Sequence, residues 1–95
     1  MKDKLTFSLF TPKGQLACVE CDGVRLSIAD SASGEFSGSY GIRRGHAKAV
    51  FSLAEGKIFA TDNGQEIFSA ECSGGFAIVD NNEVRVTVDK AEKNM

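Results

Sequence analysis

The feature that most constrains this chain is a period of two. Leu5, Phe7 and Leu9 alternate with Thr6 and Ser8, and Val24, Leu26 and Ile28 with Arg25 and Ser27. Near the other end, Val84, Val86 and Val88 alternate with Arg85 and Thr87. Successive side chains on a strand point to opposite faces, so each run sets one face on a core and the other in water. Between the runs stand Thr11-Pro12-Lys13-Gly14, Asp22-Gly23, Asp62-Asn63-Gly64, Gly74-Gly75 and Asp80-Asn81-Asn82. Proline presets one turn angle, and Gly and Asn accept conformations that other residues avoid. Asp-Gly and Asn-Gly between alternating runs signal hairpins, and the first three runs read as a meander. The spacing predicts an all-β fold of eight or more short strands, an antiparallel sandwich or barrel.

The stretch from Asp30 to Gly45 breaks the alternation. It carries Gly34, Gly38, Gly41 and Gly45 among Ser31, Ser33, Ser37 and Ser39. Its composition predicts a loop of about 16 residues, long for a domain of this size and a place where function collects. Residues 1–89 read as one β-sandwich domain and 90–95 as a short C-terminal tail. Asp89 is a fit N-cap, but too few residues follow it for a stable helix.

Composition narrows the function. The chain has 95 residues with 11 basic and 13 acidic side chains, a net charge of −2. That balance argues against a nucleic-acid binder acting through bulk charge. No stretch approaches the about 18 apolar residues a membrane-spanning helix needs. The N-terminus shows no apolar signal segment, and the expected location is cytoplasmic.

Candidate chemistry is sparse. Cys18-Val19-Glu20-Cys21 is a C-x-x-C, and with Cys72 and His46 it offers a zinc set or a redox pair. On a strand, however, residues three apart point to opposite faces, and no helix follows to lower a thiol pKa. Small core hydrophobes are the simpler reading of the cysteines. His46 is the only histidine, and no spacing pairs it with a carboxylate or a serine elbow. The glycine-rich segment lacks the Lys-Ser/Thr and the helix of a phosphate loop. The cluster Arg43, Arg44, His46 and Lys48 offers an anion a weak hold, but a solvated face or contact with an acidic protein surface is the simpler reading. Glu66 and Glu71 show no glycosidase geometry.

Gly38-Ser39-Tyr40-Gly41-Ile42-Arg43-Arg44-Gly45-His46-Ala47 resembles the Gly-Glu-Leu-Gly-Ile-x-Pro-Gly-His-Ala signature of the epsilon subunit of bacterial F-type ATP synthases. Thr11-Pro12-Lys13-Gly14, Ser73-Gly74-Gly75-Phe76 and Val84-Arg85-Val86-Thr87-Val88-Asp89 resemble further landmarks of that family, in the same order. The resemblance implies an antiparallel β-sandwich of two sheets, roughly 8–10 short strands, in the central stalk, where it binds gamma and rests on the polar loops of the membrane rotor ring. It implies a non-catalytic subunit, peripheral at the inner face of the membrane, coupling rotation to proton or sodium movement and ATP synthesis. No catalytic residue, cofactor or metal is implied. Ser39, Tyr40, Gly41, Ile42 and Arg43 would meet the ring; His46, Lys48 and Val50 would meet gamma. The family's Glu falls on Ser39, or on Glu35 if the gap is placed differently, and its two prolines on Arg44 and Lys48; without those prolines the loop is expected to be more mobile. Family members usually continue into a C-terminal helical hairpin, whereas this sequence stops at Met95. A native short form would lack autoinhibition and a nucleotide site. The alternatives are a free-standing ligand-binding β-sandwich, marked by a closed pocket near the glycine loop, and a zinc or redox protein using Cys18 and Cys21.

Overall fold

The computed structural model describes residues 4–30, 32, 33 and 35–93. Ser31 and Gly34 of the glycine-rich segment, and both ends of the domain and tail readings, lie outside that set. Ten strands follow one another: β1 (Leu5–Thr11), β2 (Gly14–Cys21), β3 (Gly23–Ala29), β4 (Phe36–Arg43), β5 (Ala49–Leu53), β6 (Gly56–Asp62), β7 (Gln65–Cys72), β8 (Gly75–Asp80), β9 (Glu83–Val88) and β10 (Ala91–Lys93). The all-β class read from the alternation holds. Ala91–Lys93, inside the segment read as a tail, pairs with Ala70–Cys72 of β7.

The strands join in a single path, β10-β7-β6-β3-β5-β8-β9-β1-β2, with β4 attached to β3. That path curls into a half-barrel around one core. Phe7 on β1 and Phe68 on β7 stand far apart in the path, yet their rings lie 5.7 Å apart. The pairings are antiparallel apart from β1 and β9, which run parallel from Thr6↔Glu83 to Phe10↔Thr87. The alternating residues behave as their spacing requires. Leu5, Phe7 and Leu9 on β1 and Val84, Val86 and Val88 on β9 are buried together with Val24, Leu26, Ile58, Ala77 and Val79.

Three of the expected turns close hairpins, the first at Thr11-Pro12-Lys13-Gly14 between β1 and β2. Asn63 and Gly64 both take positive φ (53° and 78°), joining β6 to β7, and Asn81 and Asn82 do the same (51° and 61°) between β8 and β9. Two positive φ values in succession match the right-handed twist of the flanking strands. Asp22-Gly23 is a correction: β2 pairs with β1 and β3 with β4, β5 and β6, so no hairpin or three-strand meander forms there. The chain instead crosses towards β6. The Asp22 N–H donates to the Thr61 carbonyl (3.0 Å), and the Asp22 carboxylate accepts from the Asn63 N–H (2.9 Å). Gly75 sits where β8 meets β9, and a Cβ there would fall 2.0 Å from the Thr87 carbonyl oxygen.

The predicted long loop is the second correction. Phe36–Arg43 forms β4, in register with β3 from Gly23↔Arg43 to Ala29↔Phe36. Its one buried side chain is Ile42. Main-chain hydrogen bonds to β3 carry the strand, and they leave no mark on side-chain periodicity.

Candidate partner-binding site

The glycine-rich signature occupies β4, the turn after it and the start of β5. The Gly23↔Arg43, Arg25↔Gly41 and Ser27↔Ser39 register places Ser39, Gly41 and Arg43 on the face of β4 that Arg25 occupies on β3. Arg25 lies along that face, donating from Nη1 to Ser39 Oγ (3.3 Å), with its guanidinium over Gly41. Ile42 points the other way and is fully buried. That corrects its reading as a contact residue, because its side chain has no surface to offer a partner.

Tyr40 shares the core-side direction of Ile42 but lies at the rim, 40% exposed. Its ring packs on Phe51 of β5 at 4.9 Å and meets His46 edge-on at 5.6 Å. Its hydroxyl lies 2.9 Å from His46 Nε2, while His46 Nδ1 lies 2.7 Å from the Ala47 carbonyl. A carbonyl only accepts, so Nδ1 carries the proton, and in the neutral ring Nε2 accepts from Tyr40. The loop is pinned twice more: the His46 N–H donates to the Arg43 carbonyl (3.2 Å), and the Gly45 N–H to Asn82 Oδ1 (2.8 Å). These contacts tie the turn to β4 and to the β8–β9 turn.

Lys48 is exposed just before β5. Val50 is 69% exposed on the outer face of β5, opposite Ile78 of β8. Phe76, two residues along β8, is exposed as well. Val50, Phe76 and Ile78 form an apolar strip that the sequence reading missed in part. The signal was present: Phe76-Ala77-Ile78-Val79 has no polar face, so a strand there must show apolar side chains on both sides. Arg25 was also missed, because alternation marks it only as outward.

The cysteines divide. Cys21 and Cys72 are buried, and burial pushes both thiols up to about 11 from 9.0. Cys18 is exposed, which corrects its reading as a core hydrophobe, and Ser8 Oγ donates to its sulfur (3.6 Å). Cys18 and Cys21 thus point to opposite sides of β2. Groups of His, Cys, Asp and Glu able to hold a metal ion are absent among the described residues.

The fold and its surface define a small curled β-domain that offers an apolar strip and a cationic strand face around a histidine-pinned turn. It belongs to the ATP synthase delta/epsilon chain beta-sandwich domain family, whose model matches residues 4–94. Among solved structures it resembles a chain of the Euglena gracilis mitochondrial ATP synthase OSCP/F1/c-ring assembly, with a TM-score of 0.77 and 20% identity. That match covers 98% of this chain and 55% of the Euglena chain, so this chain spans little more than half of that relative. A chain of the Tetrahymena thermophila mitochondrial ATP synthase central stalk and c-ring matches with a TM-score of 0.67 and 19% identity, covering 96% of this chain and 67% of the other. No curated protein sequence matches it.

Proposed function

We propose that this chain is a non-catalytic central-stalk subunit of an F-type ATP synthase, joining gamma to the membrane rotor ring so that rotation couples to ion movement and ATP synthesis. The family match across residues 4–94 carries this reading. The surface gives it form. The strip of Val50, Phe76 and Ile78 suits an apolar partner surface, with Lys48 and His46 at its rim, and this is the gamma side. Ser39, Gly41 and Arg43 on the outer face of β4 form the ring side. The bacterial assignment and the position at the inner face of the membrane rest on the Gly-Ile-x-x-Gly-His-Ala signature. Among the described residues no helix is long and apolar enough to cross a membrane.

Co-expression tests the reading. The chain, tagged and produced with gamma from the same organism, should co-elute with it at equal stoichiometry on a sizing column. Elution apart from folded gamma would remove the stalk role. The ligand-binding alternative predicts a closed pocket near the glycine loop. The groove lined there by Gly23, Arg25, Gly41, Arg43 and Phe59 measures about 230 Å³ and opens to solvent.

A further inference from the structure

We propose that Arg25 and Arg43 form a carboxylate-binding cleft on the outer face of β3 and β4, and that its occupant is an acidic side chain on the polar loops of the rotor ring. This rests on the stalk reading above and adds the charge that the ring must present.

The pairing of Arg25 with Gly41 and of Arg43 with Gly23 makes the two arginines diagonal neighbours on one face. Diagonal side chains on paired strands start about 7–8 Å apart, and both arginines line one open groove with Gly41 and Phe59. Both arginines are exposed, and neither makes an ion pair with a described residue. Carboxylates on neighbouring elements are engaged elsewhere. Asp22, which lines the adjoining groove with Arg43, accepts from the Asn63 N–H. Asp62 holds Lys4, and Glu66 holds Lys57. Among the described residues neither arginine is thus held in an ion pair, and both stay open to an incoming carboxylate.

The cleft is also shaped in advance. The guanidinium lies close over Gly41, where a Cβ would stand 3.3 Å from Arg25 Nη2 and move it outward by a few tenths of an ångström. Ser39 Oγ takes one of its donors and leaves the others facing out. Phe59, across β3 from Gly41, lines the same groove and supplies an apolar wall, which strengthens a charge pair formed beside it. A guanidinium already held in place loses less freedom on binding than a free one. In the free chain the two like charges repel, and an incoming carboxylate relieves that repulsion.

The test uses the full chain bound to gamma and detergent-solubilised rotor ring from the same organism. Arg25→Gln and Arg43→Gln should each weaken ring attachment about tenfold at low salt, the scale of one charge-assisted contact. Thermal stability should hold or rise slightly, and gamma should still co-elute. Gly41→Ala, which keeps every charge and displaces the Arg25 guanidinium only slightly, should weaken ring attachment less than either Gln variant. The inference is overturned if the wild-type chain binds gamma and ring but both Gln variants bind the ring equally well. It is also overturned if the variants release gamma and hold the ring, or if the wild-type chain binds gamma and never the ring. A wild-type chain that fails to bind gamma overturns the stalk reading itself, an outcome distinct from these.

Discussion

Strands β9 and β4 each pair antiparallel with one neighbour, β9 with β8 and β4 with β3, yet they do opposite work. β9 lies between β8 and β1, and its three valines are all buried. β4 pairs with β3 alone, and of its eight residues only Ile42 is buried. A strand with neighbours on both sides is fixed by what its side chains hide. An edge strand is held by main-chain hydrogen bonds on one side and is free to present its side chains to a partner. β1 and β9 each bury three large apolar side chains, while the surface chemistry lies on β3, β4, the turn into β5 and the outer faces of β5 and β8.

Removing a side chain from the first region should have the largest effect. Phe7 is fully buried and packs against Phe68. Phe7→Ala should cost about 3–5 kcal/mol by urea denaturation, enough to unfold much of a marginal domain. A loss under 1 kcal/mol would mean that the curled layers do not close on that ring. Ile42→Ala is the counterpart on β4. It should cost about 2–4 kcal/mol, because one anchor fixes the whole strand against β3. Were the cost negligible, β4 would be held by backbone pairing alone, and the contrast with β9 would sharpen.

The same contrast explains what could be read in the sequence. Alternation finds residues by what they hide, so Leu5, Phe7, Leu9, Val84, Val86 and Val88 were legible as core. The Asn63-Gly64 turn was legible because its backbone demands those residue types. β4 was not, since Gly38, Gly41, Ser37 and Ser39 show no period and its stability lies in the ladder to β3. The parallel pairing of β1 with β9 was hidden for another reason: it depends on how the sheet curls, which no local pattern encodes. Within the site, the signature located the β4–β5 segment but could not divide its faces. Register did that, sending Ile42 inward and bringing Arg25 beside Arg43.

A milder test uses the two buried thiols. Burial holds Cys21 and Cys72 up to about 11, against 9.0 in an unfolded chain. The folded state therefore keeps protons that the unfolded state releases above pH 9. The stability tied to those protons is complete below pH 9 and is lost as pH rises towards 11. Each thiol should contribute on the order of 2 kcal/mol to that decline. Denaturation midpoints at pH 8, 9, 10 and 11 should fall accordingly. Cys72→Ala should lower stability at pH 8 yet flatten the alkaline slope; an unchanged slope would show that the thiol is reached by water.

The smallest effect belongs to the rim of the site. Tyr40→Phe removes the hydroxyl that donates to His46 Nε2 and keeps the ring contact with Phe51. Both groups sit near solvent, so water can replace the lost bond, and the cost should be about 0.5 kcal/mol or less. The informative readout is the imidazole. With Nδ1 donating to the Ala47 carbonyl, the neutral ring should show an Nδ1–H tautomer by nitrogen NMR in the wild-type chain. Tyr40→Phe should leave that tautomer dominant, because the carbonyl partner is intact, while the Nε2 resonance moves towards its water-exposed position. A switch to the Nε2–H form would mean that Tyr40, rather than Ala47, sets the ring. The turn would then be pinned from β4 and not from its own backbone, and the edge strand would be shaping the gamma side as well as the ring side.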